Sequence, residues 1–190
     1  MLGEIVLRPL DADDPAVISR AFAEIGWNKP RTLYERYLAE QRAGNRVVQV
    51  AVSGGGFAGY VTLVWRSAYL PFAEAGIPEI SDLNVLPGHR RHGVGSALLE
   101  AAERTAALRA GQVGLGVGLG ADYGAAQRLY ARRGYVPDGR GVMYRGLPVT
   151  VGSSLRVDDD ATLMQTKTLS GQSASRVTQR EHLEGTPSVR

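Results

Sequence analysis

The stretch from Val85 to Ser96 constrains the fold of this 190-residue chain more than any other part of it. It reads VLPGHRRHGVGS: an apolar strand ends in a Pro-Gly turn, two arginines follow, and two glycines open a long helix. The first main-chain N–H groups of a helix have no partner within it, and the helix dipole makes that end attractive to anions. Glycine lets a phosphate approach the backbone closely, and arginine adds charged hydrogen bonds. The pattern predicts a phosphate-binding loop between a strand and a helix.

Two common phosphate loops do not fit this stretch. A P-loop ends in Gly-Lys-Ser or Gly-Lys-Thr. Here Ser96 directly follows Gly95, with no lysine between them. The dinucleotide fingerprint of Rossmann domains needs a third glycine, and Leu98 occupies that position. The loop is therefore predicted to belong to another class of phosphate site.

Apolar periodicity and turn residues predict the element order β-α-α-β-β-β-α-β-α-β-β, a mixed α/β domain with a single sheet. Helices are expected to begin at Asp14 and Pro30 and to span 93–109 and 122–133, with a long loop at 66–78. Strands are predicted at 4–10, 46–53, 57–65, 80–86, 113–119, 142–145 and 161–169. Residues 1–169 are expected to form one domain. Residues 170–190 lack aromatic side chains and apolar periodicity, which predicts a disordered tail.

Composition excludes several classes of protein. The chain is 44% hydrophobic and contains no cysteine, which rules out disulfides, cysteine zinc sites and thiol catalysis. Its 22 basic and 19 acidic residues include no basic stripe with interleaved aromatics, and no apolar run reaches the ~18 residues of a membrane span. The three histidines, His89, His92 and His182, have no metal-ligand spacing. We expect a cytoplasmic protein that binds neither nucleic acid nor membrane and holds no metal.

Two motifs carry a family resemblance. Arg90, Gly93 and Gly95 match the pattern Gln/Arg-x-x-Gly-x-Gly/Ala, and residues 126–135, AQRLYARRGY, match A-x-x-L-Y-x-x-x-G-F/Y. The chain resembles the GNAT superfamily of acetyl-CoA-dependent N-acetyltransferases. The resemblance implies a GNAT-type fold and acetyl-CoA as cosubstrate. It further implies that the pantetheine arm is bound by Leu83, Asn84 and Val85, and the diphosphate by Arg90, Arg91, His92, Gly93, Val94, Gly95 and Ser96.

The resemblance also suggests catalytic residues. A leaving thiol has a pKa of about 8.5 and a tyrosine hydroxyl one of about 10, so a positioned tyrosine can protonate the thiolate. Tyr130 occupies the family's acid position, although a helical tyrosine beside Leu129 can also simply face the core. Glu79, eleven residues before Arg90, occupies the place of a glutamate base in one branch of the family, with a solvated strand-end carboxylate as the alternative. Strand alternation predicts that Asp82 lies on the opposite face, and a water-relayed proton path stays open.

The sequence departs from the family at two positions. Some members have an acid where Gly118 stands and an asparagine where Tyr123 stands. Glycines also alternate with apolar residues from 113 to 120, so one face of this strand has no side chains. This pattern indicates one of two arrangements. Either another part of the protein packs closely against the backbone, or the face leaves room for a ligand, the pantetheine arm or a bulky acceptor.

The sequence predicts an N-acetyltransferase that moves an acetyl group from acetyl-CoA directly to a primary amine of a small molecule or peptide. The alternative is a non-catalytic acyl-CoA-binding sensor or regulatory module, and a homodimer is compatible with either. Aromatic side chains could line the acceptor pocket or belong to the core; the candidates are Trp27, Tyr34, Tyr37, Tyr69 and Phe72.

Overall fold

A computed structural model describes residues 3–169, so the predicted tail lies outside the described residues. The helices are α1 (Asp14–Glu24), α2 (Arg31–Arg42), α3 (Leu70–Ala75), α4 (Val94–Ala107) and α5 (Gly124–Arg132). The strands are β1 (Ile5–Pro9), β2 (Arg46–Ser53), β3 (Gly56–Val64), β4 (Glu79–Val85), β5 (Gln112–Gly118), β6 (Val136–Tyr144), β7 (Leu147–Pro148) and β8 (Ala161–Thr168). The mixed α/β architecture predicted from sequence is confirmed. Within the described range, no helix is both long and apolar enough to cross a bilayer.

The strands form one sheet in the order β1-β2-β3-β4-β5-β8-β6-β7. All neighbouring strands are antiparallel except β4 and β5, which are parallel because α4 connects them. Helices cover both faces of the sheet, since the apolar side chains of β2 and β3 alternate between two cores. One core packs α1 and α2 against Val48, Val50 and Tyr60, and the other packs α4 against Val61 and Leu63.

The secondary structure departs from the sequence predictions in three places. The predicted loop at 66–78 contains α3, which begins with Leu70-Pro71 and ends at Gly76 in the left-handed region, with a φ of 65°. The sixth strand begins at Val136 instead of 142, because its pairing with β8 skips residues 138–141 in a wide bulge. The short strand β7 was not predicted at all.

The pairing of β4 with its two neighbours shapes the functional region. Parallel pairing with β5 is limited to Glu79–Gly114 and Ile80–Leu115, so the strands separate beyond this point. On the other side, the register with β3 shifts between Ile80 and Asp82, which leaves Ser81 as an extra residue in β4. A bulge of this kind shifts the alternation of side chains by one position. Glu79 and Asp82 therefore share a face, and the prediction that they lie on opposite faces was wrong.

Candidate active site

A cleft of about 560 Å³ opens where β4 and β5 separate. Its walls come from both faces of the sheet, with the α1–α2 connection on one side and α5 on the other. The lining includes Lys29, Tyr69, Glu79, Asp82, Leu83, Asn84, Gly116, Gly118, Tyr123, Tyr130, Arg145 and Asp159. Both predicted catalytic residues, Glu79 and Tyr130, therefore face the same space.

The β4 wall of the cleft offers free main-chain groups. The N–H of Leu86 donates to Ala58 O in β3 at 2.9 Å. In an antiparallel pair, every second residue bonds to the neighbouring strand, and the residues between them direct their main-chain groups away from it. The main-chain groups of Leu83 and Val85 therefore point away from β3 towards the gap left by β5. Asn84 has the opposite orientation and lies directly across from Tyr60 in the β3–β4 ladder. Of the three residues predicted to bind pantetheine, Leu83 has both main-chain groups free and Val85 has a free N–H, because Val85 O accepts from Arg90 Nε.

The start of α4 has the geometry that the predicted anion-binding loop (residues 85–96) requires. Gly93 precedes the helix in the left-handed region, with a φ of 86°, and no side chain caps the helix. The first helical hydrogen bond runs from Ala97 N–H to Gly93 O at 2.9 Å, which leaves the N–H groups of Val94, Gly95 and Ser96 free. The side chain of Val94 is buried, so this residue can contact a ligand only through its backbone.

The basic residues of the loop project in different directions. Arg90 is exposed, donates from Nε to Val85 O at 3.0 Å, and stacks over the Trp27 ring at 5.6 Å. Arg91 is also exposed and adopts a φ of 62°, a conformation that a non-glycine residue rarely adopts. His92 lies beside a separate hollow near β1. Strain at Arg91 and free N–H groups at α4 are features expected of an anion-binding turn.

Tyr130 combines a buried ring with a hydroxyl directed at the cleft. The residue is 7% exposed and its ring packs in the α4-side core, tilted against Tyr135. Its hydroxyl makes no hydrogen bond to residues 3–169 and is not sealed from the cleft. Burial, followed by the charge of Asp82, raises the pKa of Tyr130 to about 12. The ring therefore belongs to the core, as one of the two readings from sequence predicts, and the hydroxyl is free, as the acid role would require.

Glu79 lies in the cleft with one hydrogen bond to its carboxylate. The Ser67 hydroxyl donates to Oε2 at 2.5 Å, and no other donor within the described residues reaches this carboxylate. Burial raises the pKa of Glu79, and Ser67 and the nearby Arg46 partly oppose that rise. Glu79 is the first residue of β4, as the alternative reading from sequence expects, but it is half-buried and therefore less solvated than that reading implies.

Asp82 lies at the centre of a polar cluster that sequence reasoning missed. Its carboxylate accepts hydrogen bonds from the Tyr37 hydroxyl at 3.2 Å, the Tyr60 hydroxyl at 2.5 Å and the Asn84 amide. The Lys29 ammonium lies 3.6 Å from Asp82 Oδ1 and donates to the Tyr60 hydroxyl at 3.2 Å. These residues are up to 55 positions apart, from Lys29 to Asn84, so local patterns do not reveal the cluster. The cross-strand pairing of Tyr60 with Asn84 could have indicated the cluster, but this pairing is known only once the register of β3 and β4 is known.

The glycine face of β5 is covered by side chains. The Phe72 ring occupies the space next to Gly114, and Met164 and Tyr123 cover Gly116 and Gly118. The prediction of a close-packed backbone is confirmed, because large side chains from other elements pack directly against the glycines. Of the aromatic residues considered for the acceptor pocket, Tyr69 lines the cleft, whereas Tyr34 and Phe72 are core residues. The described part of the chain contains no cluster of three or more potential metal ligands.

The model of the acetyltransferase (GNAT) family matches residues 15–135, more than half of the chain. The chain belongs to the GNAT acetyltransferase family. The matched range contains the loop before α4 and also β4, β5 and α5, which line the cleft together with residues from 145 to 164. The protein is therefore an acyltransferase, and the resemblance noted in its two motifs is confirmed.

Solved structures support the same fold at low sequence identity. A GNAT-family protein from Desulfovibrio desulfuricans is 17% identical, with a TM-score of 0.67 over 87% of this chain and 99% of that chain. The ribosomal-protein-S18-alanine N-acetyltransferase of Escherichia coli is 14% identical, with a TM-score of 0.62 over 92% and 99%. The PaiA N-acetyltransferase of Thermoplasma acidophilum, solved with coenzyme A, is 13% identical, with a TM-score of 0.60 over 87% and 99%. No curated protein sequence matches the chain.

Proposed function

We propose that this GNAT enzyme transfers the acetyl group of acetyl-CoA directly to a primary amine. The observation that carries the proposal is the juxtaposition, in one cleft, of the free Tyr130 hydroxyl, the Glu79 carboxylate and the unpaired edge of β4. Acyl transfer from a thioester to an amine needs a proton donor for the leaving thiolate, a proton acceptor for the amine and donors for the developing oxyanion. The cleft supplies a candidate for each.

The residues around the cleft fit acetyl-CoA. Free N–H groups of Val94, Gly95 and Ser96, with Arg90, Arg91 and His92 beside them, suit a diphosphate. The outward main-chain groups of Leu83 and the N–H of Val85 suit the amides of the pantetheine arm, which would bind as an additional strand does. The bound thioester supplies an activated acetyl group. The coenzyme A found with the Thermoplasma relative is consistent with this assignment.

Tyr130 is proposed as the acid that protonates the leaving thiolate. Its pKa of about 12 keeps the hydroxyl protonated at physiological pH, so it can donate a hydrogen bond, and then its proton, to the sulfur as the C–S bond breaks. The hydroxyl has no competing hydrogen bond to the described residues, so it is available for the thiol sulfur. The outward N–H groups of β4 are proposed to stabilise the oxyanion.

Glu79 is proposed as the base that receives the amine proton. Burial raises its pKa, which makes the carboxylate a stronger base, and within residues 3–169 Ser67 alone donates to it. Asp82 is less suited to this role, because Tyr37, Tyr60 and Asn84 already occupy its oxygens. An amine acceptor also agrees with the name of the Escherichia coli relative, an alanine N-acetyltransferase.

Release of free thiol from acetyl-CoA in the presence of a panel of primary amines tests the proposal. The panel comprises polyamines, aminoglycosides, amino acids and short peptides with a free N-terminus. We expect thiol release that depends on the amine and a stoichiometric N-acetyl product. Binding of acetyl-CoA without thiol release for any amine would instead favour the sensor alternative.

A further inference from the structure

We propose that Lys29 is itself an acetyl acceptor, so that the enzyme acetylates this lysine in its own cleft when no external amine is bound. This inference rests on the proposed function. It adds a modification site to the molecule and identifies one amine, a lysine side chain, that the cleft accommodates.

The position of Lys29 carries the inference. The residue lies in the connection between α1 and α2 and lines the same cleft as Leu83, Asn84 and Tyr130. Its ammonium donates to the Tyr60 hydroxyl, which in turn accepts from the Asn84 amide at 3.2 Å. One hydroxyl group thus separates the Lys29 nitrogen from a side chain of the β4 segment that is proposed to bind the acetyl donor. Lysine has a flexible four-carbon stem, so rotamer changes can move its nitrogen within the cleft.

The surroundings of Lys29 resemble a binding site for an ammonium group. The nitrogen lies 5.6 Å from the centre of the Phe22 ring and 5.8 Å from that of Tyr60, with the Asp82 carboxylate 3.6 Å away. Aromatic faces and a carboxylate are the groups that recognise cationic amines. The chain therefore presents its own primary amine where the proposed reaction requires an external one.

The chemistry balances with acetyl-CoA as the only co-reactant. The Lys29 ammonium gives one proton to the solvent that enters the cleft. The neutral nitrogen forms a bond to the acetyl carbon while the C–S bond breaks, and the second amine proton leaves as the amide forms. Tyr130 protonates the thiolate and regains a proton from the solvent pool, so the products are acetyl-lysine, free coenzyme A and one proton.

Lys167 provides a matched control within the same chain. Only these two lysines occur in the sequence. Their side chains are similarly accessible, 22% exposed for Lys29 and 20% for Lys167, and each is paired with one carboxylate, Asp82 and Glu103 respectively. Lys167 lies on β8 and does not line the cleft. A difference between the acetylation rates of the two lysines therefore measures the effect of the cleft and not general lysine reactivity.

The experiment incubates the full chain with deuterated acetyl-CoA, without added amine, and follows both lysines by peptide mass spectrometry. We expect Lys29 to be acetylated faster than Lys167 by roughly 10²-fold, the size of a proximity and acid–base effect. The half-time should not depend on protein concentration, because Lys29 reacts within its own cleft. Desulfo-CoA should suppress modification of Lys29 and leave Lys167 unaffected. Acetyl phosphate, which lacks the coenzyme, should show no preference for Lys29.

Two variants complete the test. Lys29→Arg keeps a cation beside Asp82 but removes the nucleophilic amine, and should abolish the cleft-dependent label, whereas Lys167→Arg should leave it unchanged. Equal labelling of both lysines, or an unmodified Lys29, would overturn the inference. If the amine panel still releases thiol while Lys29 stays unmodified, the inference fails and the proposed function stands. If neither reaction occurs, both fail.

Discussion

The ring of Tyr123 packs directly on the main chain of Gly118, so that a Cβ at position 118 would lie 2.5 Å from the ring. Gly118 and Tyr123, the two departures from the family pattern, are therefore coupled. The Tyr123 ring fits only because residue 118 has no side chain. The Tyr123 hydroxyl also donates to Asp159 at 3.0 Å, which joins the start of α5 to the loop before β8. Both residues line the cleft beside Tyr130.

Gly118→Ala should destabilise the protein by roughly 1–3 kcal/mol, the usual cost of inserting a methyl group into a packed site. Tyr123→Ala should recover part of this loss in the double variant, because it removes the clashing ring. Urea denaturation of the four proteins in this cycle measures the coupling. Gly111→Ala is the control, since no atom lies within 4 Å of a Cβ there. Additive effects of the two substitutions would contradict the packing account.

The two glycines of the anion-binding loop should respond differently to alanine. Gly93 has a φ of 86°, so Gly93→Ala should cost about 1–2 kcal/mol and weaken binding of acetyl-CoA by distorting the turn. Gly95→Ala should be tolerated, because its Cβ would lie 3.7 Å from both Leu129 and Val85. Gly95→Leu should abolish cofactor binding while the fold persists. Calorimetric titration with acetyl-CoA and thermal unfolding check this order, and unchanged affinity in Gly95→Leu would refute the assignment of the loop.

Tyr130→Phe should lower kcat by roughly 10²–10⁴ and leave the KM for acetyl-CoA nearly constant, because only the proton donor is lost. The loss should shrink for thioesters with more acidic thiols, which need less help to leave. Since burial raises the pKa of Tyr130 to about 12, the wild-type rate should not decline through Tyr130 ionisation below pH 10. Tyr135→Phe is the matched control, as its ring lies 5.7 Å from that of Tyr130 but does not line the cleft. Equal rates in the two variants would assign Tyr130 to packing.

Glu79→Gln should lower kcat/KM by roughly 10²–10⁴ and remove the acidic limb of its pH profile, because the base is lost. The same substitution should also change how the free energy of unfolding depends on pH. Burial raises the pKa of Glu79 in the folded state, so wild-type stability is greatest below the unfolded pKa and declines as pH rises through the folded one.

The melting temperature of Glu79→Gln relative to wild type should therefore increase between about pH 4.5 and neutrality, where only the wild type must ionise a buried group. Glu100→Gln controls for surface charge, since Glu100 is half exposed and paired with Arg104 on α4. A melting-temperature difference that is constant with pH would show that Glu79 does not titrate in this environment.

The loop from Val85 to Ser96 and the helix after it were predictable, because the chemistry is local. A Pro-Gly turn ends a strand, glycines open a helix, and free N–H groups follow from helix geometry alone. The motif around Tyr130 was equally accessible, and so was the element order, since each helix and strand carries its own apolar period. Helix α3 was missed because only six residues form it, fewer than the window in which such a period becomes visible.

The tertiary structure alone decided which side chains meet in the cleft. The extra residue at Ser81 reverses the face of Asp82, and a bulge is a property of strand pairing that one strand does not encode. Lys29, Tyr37, Tyr60 and Asp82 come from four separate elements, and only the packing of α1 and α2 on the sheet brings them together. Local sequence determines hydrogen bonds within a helix or turn, whereas contacts between distant residues depend on how complete elements pack. The anion-binding loop belongs to the first kind, and the Lys29–Asp82 pair to the second.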